Sequence, residues 1–178
     1  MSLTAELLLV FVLILFNALF VMSEMAIVSA RKVRLQAAAD RGDRRAGIAL
    51  GLAMTPDRFL PTVQVGITLM AILSGARGES AISRLLAPPL AQLLPREYSE
   101  SIASVLAIVF LTYLTLIVGE LVPKQIALNS PETIASFFAI PIDFLARVST
   151  PLILVLSYST NFVVKLFGIK RTTQPEVT

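Results

Sequence analysis

The sequence contains neither cysteine nor histidine, and these two absences narrow its possible chemistry. No disulfide can form, and no metal can be bound through thiolate or imidazole, the ligands that zinc and copper favour. A metal bound here must accept oxygen ligands, as the hard cations Mg²⁺, Ca²⁺ and Na⁺ do. Because we also find no nucleophile–base pair in the sequence, we do not expect an enzyme.

Charged residues are scarce as well, at 15% of the 178 residues, whereas 56% of the residues are hydrophobic. Soluble domains carry charge on about a quarter of their residues. The composition therefore predicts an integral membrane protein embedded in the lipid bilayer. The basic residues lie beside the apolar segments and form no aromatic-rich basic face, so we expect no nucleic-acid partner.

Three apolar segments are candidates to cross the bilayer, which takes roughly 20 residues of helix. The predicted transmembrane helices cover about residues 5–30, 57–75 and 100–122. The second segment is irregular, and we expect it to end in a turn at Ser74-Gly75 before a helix on the outer surface. We expect Pro123 and Lys124 to end the third helix on the cytoplasmic side.

The placement of basic residues predicts the orientation. Six of them follow the first apolar segment: Arg31, Lys32, Arg34, Arg41, Arg44 and Arg45. By the positive-inside rule this loop is cytoplasmic, which places the N-terminus outside and, after three crossings, the C-terminus in the cytoplasm. Residues 32–53 should form short cytoplasmic helices near the headgroups. Prolines and charges within residues 132–168 argue against deep burial and predict an amphipathic juxtamembrane belt.

The predicted fold is an all-α membrane domain over residues 1–171, with three transmembrane helices, short cytoplasmic helices and the juxtamembrane belt. Residues 172–178 are polar, as is typical of a linker to a cytoplasmic region. We find no internal repeat of the kind that many transporters contain, so a homodimer would supply the symmetry instead.

Polar residues occur at three places in the predicted spans, and the first is the C-terminal half of the first helix. Asn17 and Glu24 are seven residues apart and share a helix face, with Ser23 beside Glu24. Glu24 lies about 10 Å along the axis from Arg31, so its carboxylate needs a partner or a water-filled cavity within the membrane. The functional interpretation is a set of cation ligands. The alternative is a buried glutamate that fixes helix packing.

The second place is the end of the third predicted helix. Gly119 and Glu120 precede Pro123 and Lys124 by four residues each. Pro123 has no N–H, and its ring crowds the carbonyl of Gly119, so that carbonyl is a candidate free ligand beside the Glu120 carboxylate. The alternative is an ordinary helix C-terminus with Lys124 at the membrane interface.

The third place is the second predicted helix, which contains Gln64, Gly66 and Ser74. Proline and glycine loosen this segment, and irregular backbone at membrane depth is tolerated only inside protein or beside a cavity. Its carbonyls and hydroxyls are oxygen ligands of the kind that a hard cation requires. The alternative is ordinary kinked packing.

These three places resemble the signatures of one family. The matching segments are Ser23-Glu24-Met25-Ala26, Gln64-Val65-Gly66-Ile67-Thr68-Leu69 and Gly119-Glu120-Leu121-Val122-Pro123-Lys124, followed by Asn129. Together they resemble the transmembrane domain of the CorC/cyclin M (CNNM) magnesium transporters, over nearly the whole chain. One position departs from the pattern: Met70 stands where many relatives have a polar residue.

The resemblance implies a function. It implies Mg²⁺ export, coupled to Na⁺ entry by alternating access, in a homodimer of the cell (inner) membrane. It also implies a cytoplasmic region with paired CBS modules after the membrane domain. The rival interpretation is a membrane module that senses Mg²⁺ and controls a partner without transporting the ion itself.

On this basis we predict one Mg²⁺ site and two groups of residues. The predicted ligands are Ser23, Gly66, Gly119 and Glu120, with Ser74 as a further ligand. The residues predicted to support or gate the site are Asn17, Glu24, Gln64, Lys124 and Asn129. Without metal, Lys124 would neutralise a carboxylate of the site.

Overall fold

The computed structural model describes residues 2–93 and 95–167, and within these residues the chain is helical, with no strand. The helices are α1 (Leu3–Ser29), α2 (Lys32–Asp40), α3 (Arg44–Met54), α4 (Pro56–Leu90), α5 (Arg96–Leu114), a π-helical turn (Thr115–Leu121), α6 (Val122–Asn129), α7 (Pro131–Val148) and α8 (Thr150–Leu166). The all-α fold class is confirmed. The predicted linker at residues 172–178 and the end of the predicted belt lie outside the described residues.

Local sequence explains where several helices begin. The Ser2 hydroxyl accepts a hydrogen bond from the Ala5 N–H at 3.3 Å and caps α1. Asp43 caps α3 in the same way, through the N–H groups of the second and third following residues. Gly42, with φ of +94°, makes the turn between α2 and α3, a backbone conformation that side chains disfavour. Pro56 and Pro131 stand at the first turns of α4 and α7, where a missing N–H costs nothing.

Three helices are long and apolar enough to cross a membrane. They are Leu3–Ser29, Pro56–Leu90 and the continuous stretch Tyr98–Asn129 that joins α5, the π-helical turn and α6. At about 1.5 Å per residue, each exceeds the roughly 30 Å of a bilayer's hydrocarbon core. The described part of the chain thus has the three spanning helices that the sequence predicted.

The predicted turn at Ser74-Gly75 is wrong, because α4 runs without interruption from Pro56 to Leu90. The Ser74 hydroxyl donates a hydrogen bond to the Ala71 carbonyl at 3.1 Å, within the same continuous helix. A Cβ on Gly78 would lie 2.7 Å from Leu111 Cδ2, so this glycine brings α4 close to α5. The small residues therefore serve helix packing, and the segment expected as a separate surface helix belongs to α4.

The predicted end of the third helix at Pro123 is also wrong, because α6 continues to Asn129. In the π-helical turn before it, the Val122 N–H bonds to the Ile117 carbonyl, five residues back. This wider turn shifts the hydrogen-bond register, and Pro123 follows in the first turn of α6, where proline is tolerated.

Two hydrophobic clusters surround α1 at its two ends. The larger cluster packs the C-terminal end of α1 against α2, α3, α4, α6 and α7 and includes Ile27, Leu35, Phe59 and Ala127. The smaller cluster packs the N-terminal half of α1 against α4 and α5 and includes Val10, Ile14, Ile82 and Leu111. Most of the predicted site residues lie between these two clusters, on α1 and on the third spanning helix.

Helices α7 and α8 form a bent pair, with 64° between their axes. One side of α7 packs on α1 and α3 and buries Ala135, Ala139 and Ile142. No residue of α8 is buried within the described structure. The pair is apolar enough to count as a broken fourth span, so its interfacial position remains a prediction.

Candidate functional site

Asn17 on α1 and Gly119 in the π-helical turn form a buried polar contact. The Asn17 amide nitrogen donates to the Gly119 carbonyl at 3.2 Å, and Asn17 is only 4% exposed. Pro123, four residues further on, has no N–H to offer that carbonyl, and the Asn17 side chain supplies a donor from α1. The Gly119 carbonyl, predicted to be free, is therefore engaged once, and a carbonyl oxygen can accept a second partner.

The contact with Gly119 also fixes the orientation of the Asn17 amide. Because a carbonyl only accepts hydrogen bonds, the amide nitrogen must face Gly119, and the oxygen Oδ1 must face elsewhere. Oδ1 is buried and has no hydrogen-bond partner among the described residues. Buried polar atoms usually have a partner, so this acceptor is suited to a water molecule or a cation.

The missing side chain of Gly119 allows this contact. A Cβ there would lie 3.1 Å from Asn17 Nδ2, closer than ordinary van der Waals contact. Glycine at this point therefore lets α1 and the π-helical turn approach until the amide reaches the carbonyl.

Ser23 and Gly66 both contact Phe20 of α1. Ser23 is fully buried, and its hydroxyl donates to the Phe20 carbonyl at 2.7 Å, which leaves the lone pairs of its oxygen available as acceptors. A Cβ on Gly66 would lie 2.8 Å from the Phe20 ring, so this glycine lets the ring pack directly on α4. The two predicted ligands thus face the same residue, Ser23 through its backbone carbonyl and Gly66 through its ring.

Glu120 forms an ion pair with Lys124, one turn further along the third spanning helix. The Lys124 Nζ lies 2.7 Å from Glu120 Oε1, and both side chains are 42% exposed. Lys124 lies on α6, which packs against α1, the helix that carries Glu24.

We call Asn17, Ser23, Glu24, Gly119, Glu120 and Lys124 the polar layer. Asn17 and Ser23 are about 9 Å apart along the α1 axis, and Phe20 lies between them. Among the described residues, no three carboxylates stand close enough to hold a metal ion by themselves. A cation here would therefore be held by one or two carboxylates and by neutral oxygens.

Four predicted residues lie outside the polar layer: Gly66, which packs against the Phe20 ring, and three others, Ser74, Gln64 and Asn129. Ser74 is buried, but in the continuous helix it lies about 12 Å along the axis from Gly66, too far to share one Mg²⁺ with its ligand distances near 2.1 Å. Gln64 and Asn129 are exposed, on α4 and at the end of α6. The structure does not bring these three residues to the others.

Two residues near the polar layer were not among the predicted site residues. Thr62 is 2% exposed, and its hydroxyl oxygen has no partner among the described residues. It precedes Gly66 by one helical turn, which was a usable signal for a shared face. Phe20 carries no such signal, because phenylalanine is an ordinary residue in a membrane helix.

The fold and the polar layer together define a helical membrane domain with buried oxygen acceptors between its spanning helices and an ion pair on the third of them. Residues 8–178 match the cyclin M transmembrane N-terminal domain, and the chain belongs to this family. The resemblance inferred from the three motifs is thereby confirmed.

Several curated relatives extend this comparison. UPF0053 protein sll0260 of Synechocystis sp. is 47% identical over 169 residues, which cover 94% of this chain and 38% of the relative. UPF0053 protein YhdP of Bacillus subtilis is 36% identical, over 97% of this chain and 39% of the relative. The Polyamine export protein of Haemophilus influenzae is 33% identical, over 100% of this chain and 41% of the relative. The chain spans about two fifths of the length of these relatives.

Proposed function

We propose that this domain transports a cation through its polar layer, and that the cargo is Mg²⁺, exported in exchange for Na⁺ by alternating access. The observation that carries the proposal is the buried, unpartnered Oδ1 of Asn17 beside the engaged carbonyl of Gly119. Hard cations take oxygen ligands, and this chain has neither the cysteine nor the histidine that softer metals favour.

The charges of the polar layer support an ion-exchange step. Lys124 neutralises Glu120 at 2.7 Å, and the carboxyl group of Glu24 belongs to the same layer, on the neighbouring helix α1. An arriving dication competes with the ammonium for the Glu120 carboxylate. Because Lys124 is 42% exposed, its flexible side chain has room to leave.

The neutral ligands complete the proposed site. Ser23 offers the lone pairs of its hydroxyl, Asn17 offers Oδ1, and Gly119 offers the second acceptor position of its carbonyl. Mg²⁺ usually keeps several waters and requires six oxygens at about 2.1 Å. Ser23 lies about 9 Å from Asn17 along the α1 axis, so a Mg²⁺ held by Asn17 and Gly119 reaches Ser23 through its waters or by moving along the layer.

Ion pairs stand at both ends of the helix bundle. At the N-terminal end of α1, Arg84 of α4 donates to the Glu6 carboxylate. At the other end, Glu132 of α7 accepts from the Arg31 N–H at 3.4 Å and lies 3.9 Å from Arg34. We infer that these contacts close the outer and inner ends, respectively, with the N-terminus outside and the C-terminus in the cytoplasm.

We further propose that the domain works as a homodimer in the cell membrane and is controlled by a cytoplasmic CBS region. Supporting this arrangement, α4 carries exposed polar groups at Gln64 and Thr68 within an apolar helix. Polar groups at membrane depth are stabilised by a protein partner, which a second copy would provide.

A polyamine is the second candidate cargo. A relative that is 33% identical over the whole chain is named Polyamine export protein. Polyamines are also cations, and two carboxylates in the polar layer would attract their ammonium groups. They do not need the tight octahedral oxygen shell of Mg²⁺, so the two cargoes depend differently on Asn17 and Ser23.

The test is flux from liposomes that contain the purified protein, loaded with either Mg²⁺ or spermidine. We expect saturable Mg²⁺ efflux that accelerates when Na⁺ is supplied on the opposite side. Spermidine efflux without Mg²⁺ efflux would show that the cargo is a polyamine and not Mg²⁺. Saturable Mg²⁺ binding without flux of either cation would support a Mg²⁺-sensing module and contradict transport.

A further inference from the structure

A cavity separate from the polar layer lies between the end of α3, the start of α4 and the bend between α7 and α8. Its volume is about 730 Å³, and it belongs to the same end of the molecule as the arginine-rich helices α2 and α3. None of the predicted site residues lines it. The transport proposal therefore leaves this cavity unexplained.

Charged groups of both signs are among the residues that line the cavity. Asp143 and Arg147 of α7 form an ion pair, with Oδ2 and Nη2 2.7 Å apart. Asp57 and Arg58, in the first turn of α4, make no ion pair within the described structure. The four side chains carry two positive and two negative charges, so the lining is neutral in sum but strongly polar.

Apolar side chains also line the cavity. Ile153 and Leu154 of α8 and Ile48 of α3 are among them, and Leu154 is 65% exposed. A ligand that fits the whole cavity must have a head with both charges and an apolar tail. Because the chain is a membrane protein, the bilayer itself supplies molecules of this kind.

We propose that this cavity binds one phosphatidylethanolamine molecule from the surrounding bilayer. The lipid phosphate contacts Arg58 and the free nitrogens of Arg147, since guanidinium groups bind phosphate through several N–H donors. The lipid ammonium donates to the unpaired Asp57 carboxylate. An acyl chain lies along Leu154 and Ile153.

The charge balance distinguishes this lipid from other phospholipids. Phosphatidylcholine has no N–H donor for Asp57. Phosphatidylglycerol adds a net negative charge, which Asp57 and Asp143 repel. The lipid would also join the α3–α4 corner to the α7–α8 bend and so hold α8, which buries no residue of its own.

The experiment is native mass spectrometry of the protein released from vesicles with equal amounts of phosphatidylethanolamine, phosphatidylglycerol and phosphatidylcholine. We expect one retained phosphatidylethanolamine per protomer, with a preference of about tenfold over either other lipid, equivalent to about 1.4 kcal/mol. We expect Arg58→Ala and Leu154→Ser to lose the lipid, and Asp57→Asn to shift retention toward phosphatidylglycerol.

Matched controls come from neighbouring residues outside the cavity. Arg41→Ala removes an exposed arginine after α2, and Val155→Ser removes an apolar side chain that is 62% exposed, close to the 65% of Leu154. Both should retain the lipid as the wild type does. Equal retention of all three lipids, preferential retention of phosphatidylglycerol, or equal losses in control and cavity variants would overturn the proposal. The measurement needs no flux, so its result is independent of the transported cargo.

Discussion

Asn17 has two roles at once in this structure. Its amide nitrogen satisfies the Gly119 carbonyl, which Pro123 cannot reach with an N–H, and its amide oxygen remains as a buried acceptor. A leucine of similar size would provide neither group. The sequence singled out Asn17 as a supporting residue, but its donor role depended on the π-helical turn, which no residue pattern announced.

Replacing Asn17 tests both roles. Asn17→Leu leaves the Gly119 carbonyl without its donor, which costs about 1–3 kcal/mol for a buried polar group. We expect a lower unfolding temperature in detergent and loss of the further stabilisation that Mg²⁺ gives the wild type. Asn161→Leu, at an exposed position on α8, is the control and should change neither quantity. Retained Mg²⁺ stabilisation in Asn17→Leu would contradict the assignment of Oδ1 as a ligand.

Gly66 and Gly75 form a natural pair of test positions on α4. A Cβ on Gly66 would meet the Phe20 ring at 2.8 Å, whereas nothing lies within 4 Å of a Cβ on Gly75. Gly66→Ala should destabilise the protein by about 1–3 kcal/mol through overpacking. Gly75→Ala should be neutral or stabilising, by up to about 1 kcal/mol, through helix propensity. Thermal unfolding of both variants measures the difference, and equal unfolding temperatures would show that Phe20 does not press on α4.

Among the helices, the continuity of α4 and the π-helical turn decide the geometry of the site. The apolar lengths in the sequence predicted three spanning helices, because burial in lipid requires them. They did not predict that Ser74-Gly75 would stay helical. A serine–glycine pair is equally compatible with a turn and with close packing, and the contact of nearby Gly78 with Leu111 selects packing only in the folded molecule.

Pro123 controls the hydrogen bonding of the third spanning helix. In Pro123→Ala a restored N–H competes with Asn17 for the Gly119 carbonyl and favours a regular α-helical register. We expect the thermal stability to be unchanged or increased. We expect the Mg²⁺ affinity to fall about tenfold, which corresponds to about 1.4 kcal/mol for one lost ligand. Titration of Mg²⁺ against unfolding temperature measures both effects.

Pro88→Ala, in the last turn of α4, provides the control for Pro123→Ala. It should leave Mg²⁺ binding as in the wild type. Unchanged Mg²⁺ affinity in Pro123→Ala would mean that the π-helical turn does not shape the site.

On the scale of the whole molecule, two hydrophobic clusters hold the helices at both ends and leave the polar layer between them. The sequence identified most residues of this layer from isolated polar positions in apolar segments. It could not place Ser74, Gln64 and Asn129 outside the layer, because that depends on which face of each helix is buried. The ion pairs that join the helix ends were equally invisible, since their partners are 78 to 101 residues apart.

The ion pair at the end of the bundle near α7 should affect opening on that side. Glu132→Gln weakens the contacts of this side chain with Arg31 and Arg34. A partly exposed ion pair contributes up to about 1 kcal/mol, which corresponds to about a fivefold change in the population of the conformation that is open at this end. Because the chain has no cysteine, a single Thr62→Cys reporter labels without background. We expect up to about fivefold faster labelling of this buried position with Glu132→Gln.

Glu100→Gln, an exposed change on α5, should leave the labelling rate of the Thr62→Cys reporter unchanged. Equal rates in the Glu132→Gln and Glu100→Gln proteins would show that the Glu132 contacts do not restrict access to the bundle.

Na⁺-driven Mg²⁺ flux in liposomes measures whether cations cross through the polar layer. Wild type, Glu120→Gln and Glu100→Gln should be compared with and without an opposing Na⁺ gradient. We expect gradient-dependent flux in wild type and in Glu100→Gln, and loss of that flux in Glu120→Gln, whose side chain no longer carries the charge paired with Lys124. Wild-type flux in Glu120→Gln would show that the cation crosses without this carboxylate, and transport through the polar layer would be wrong.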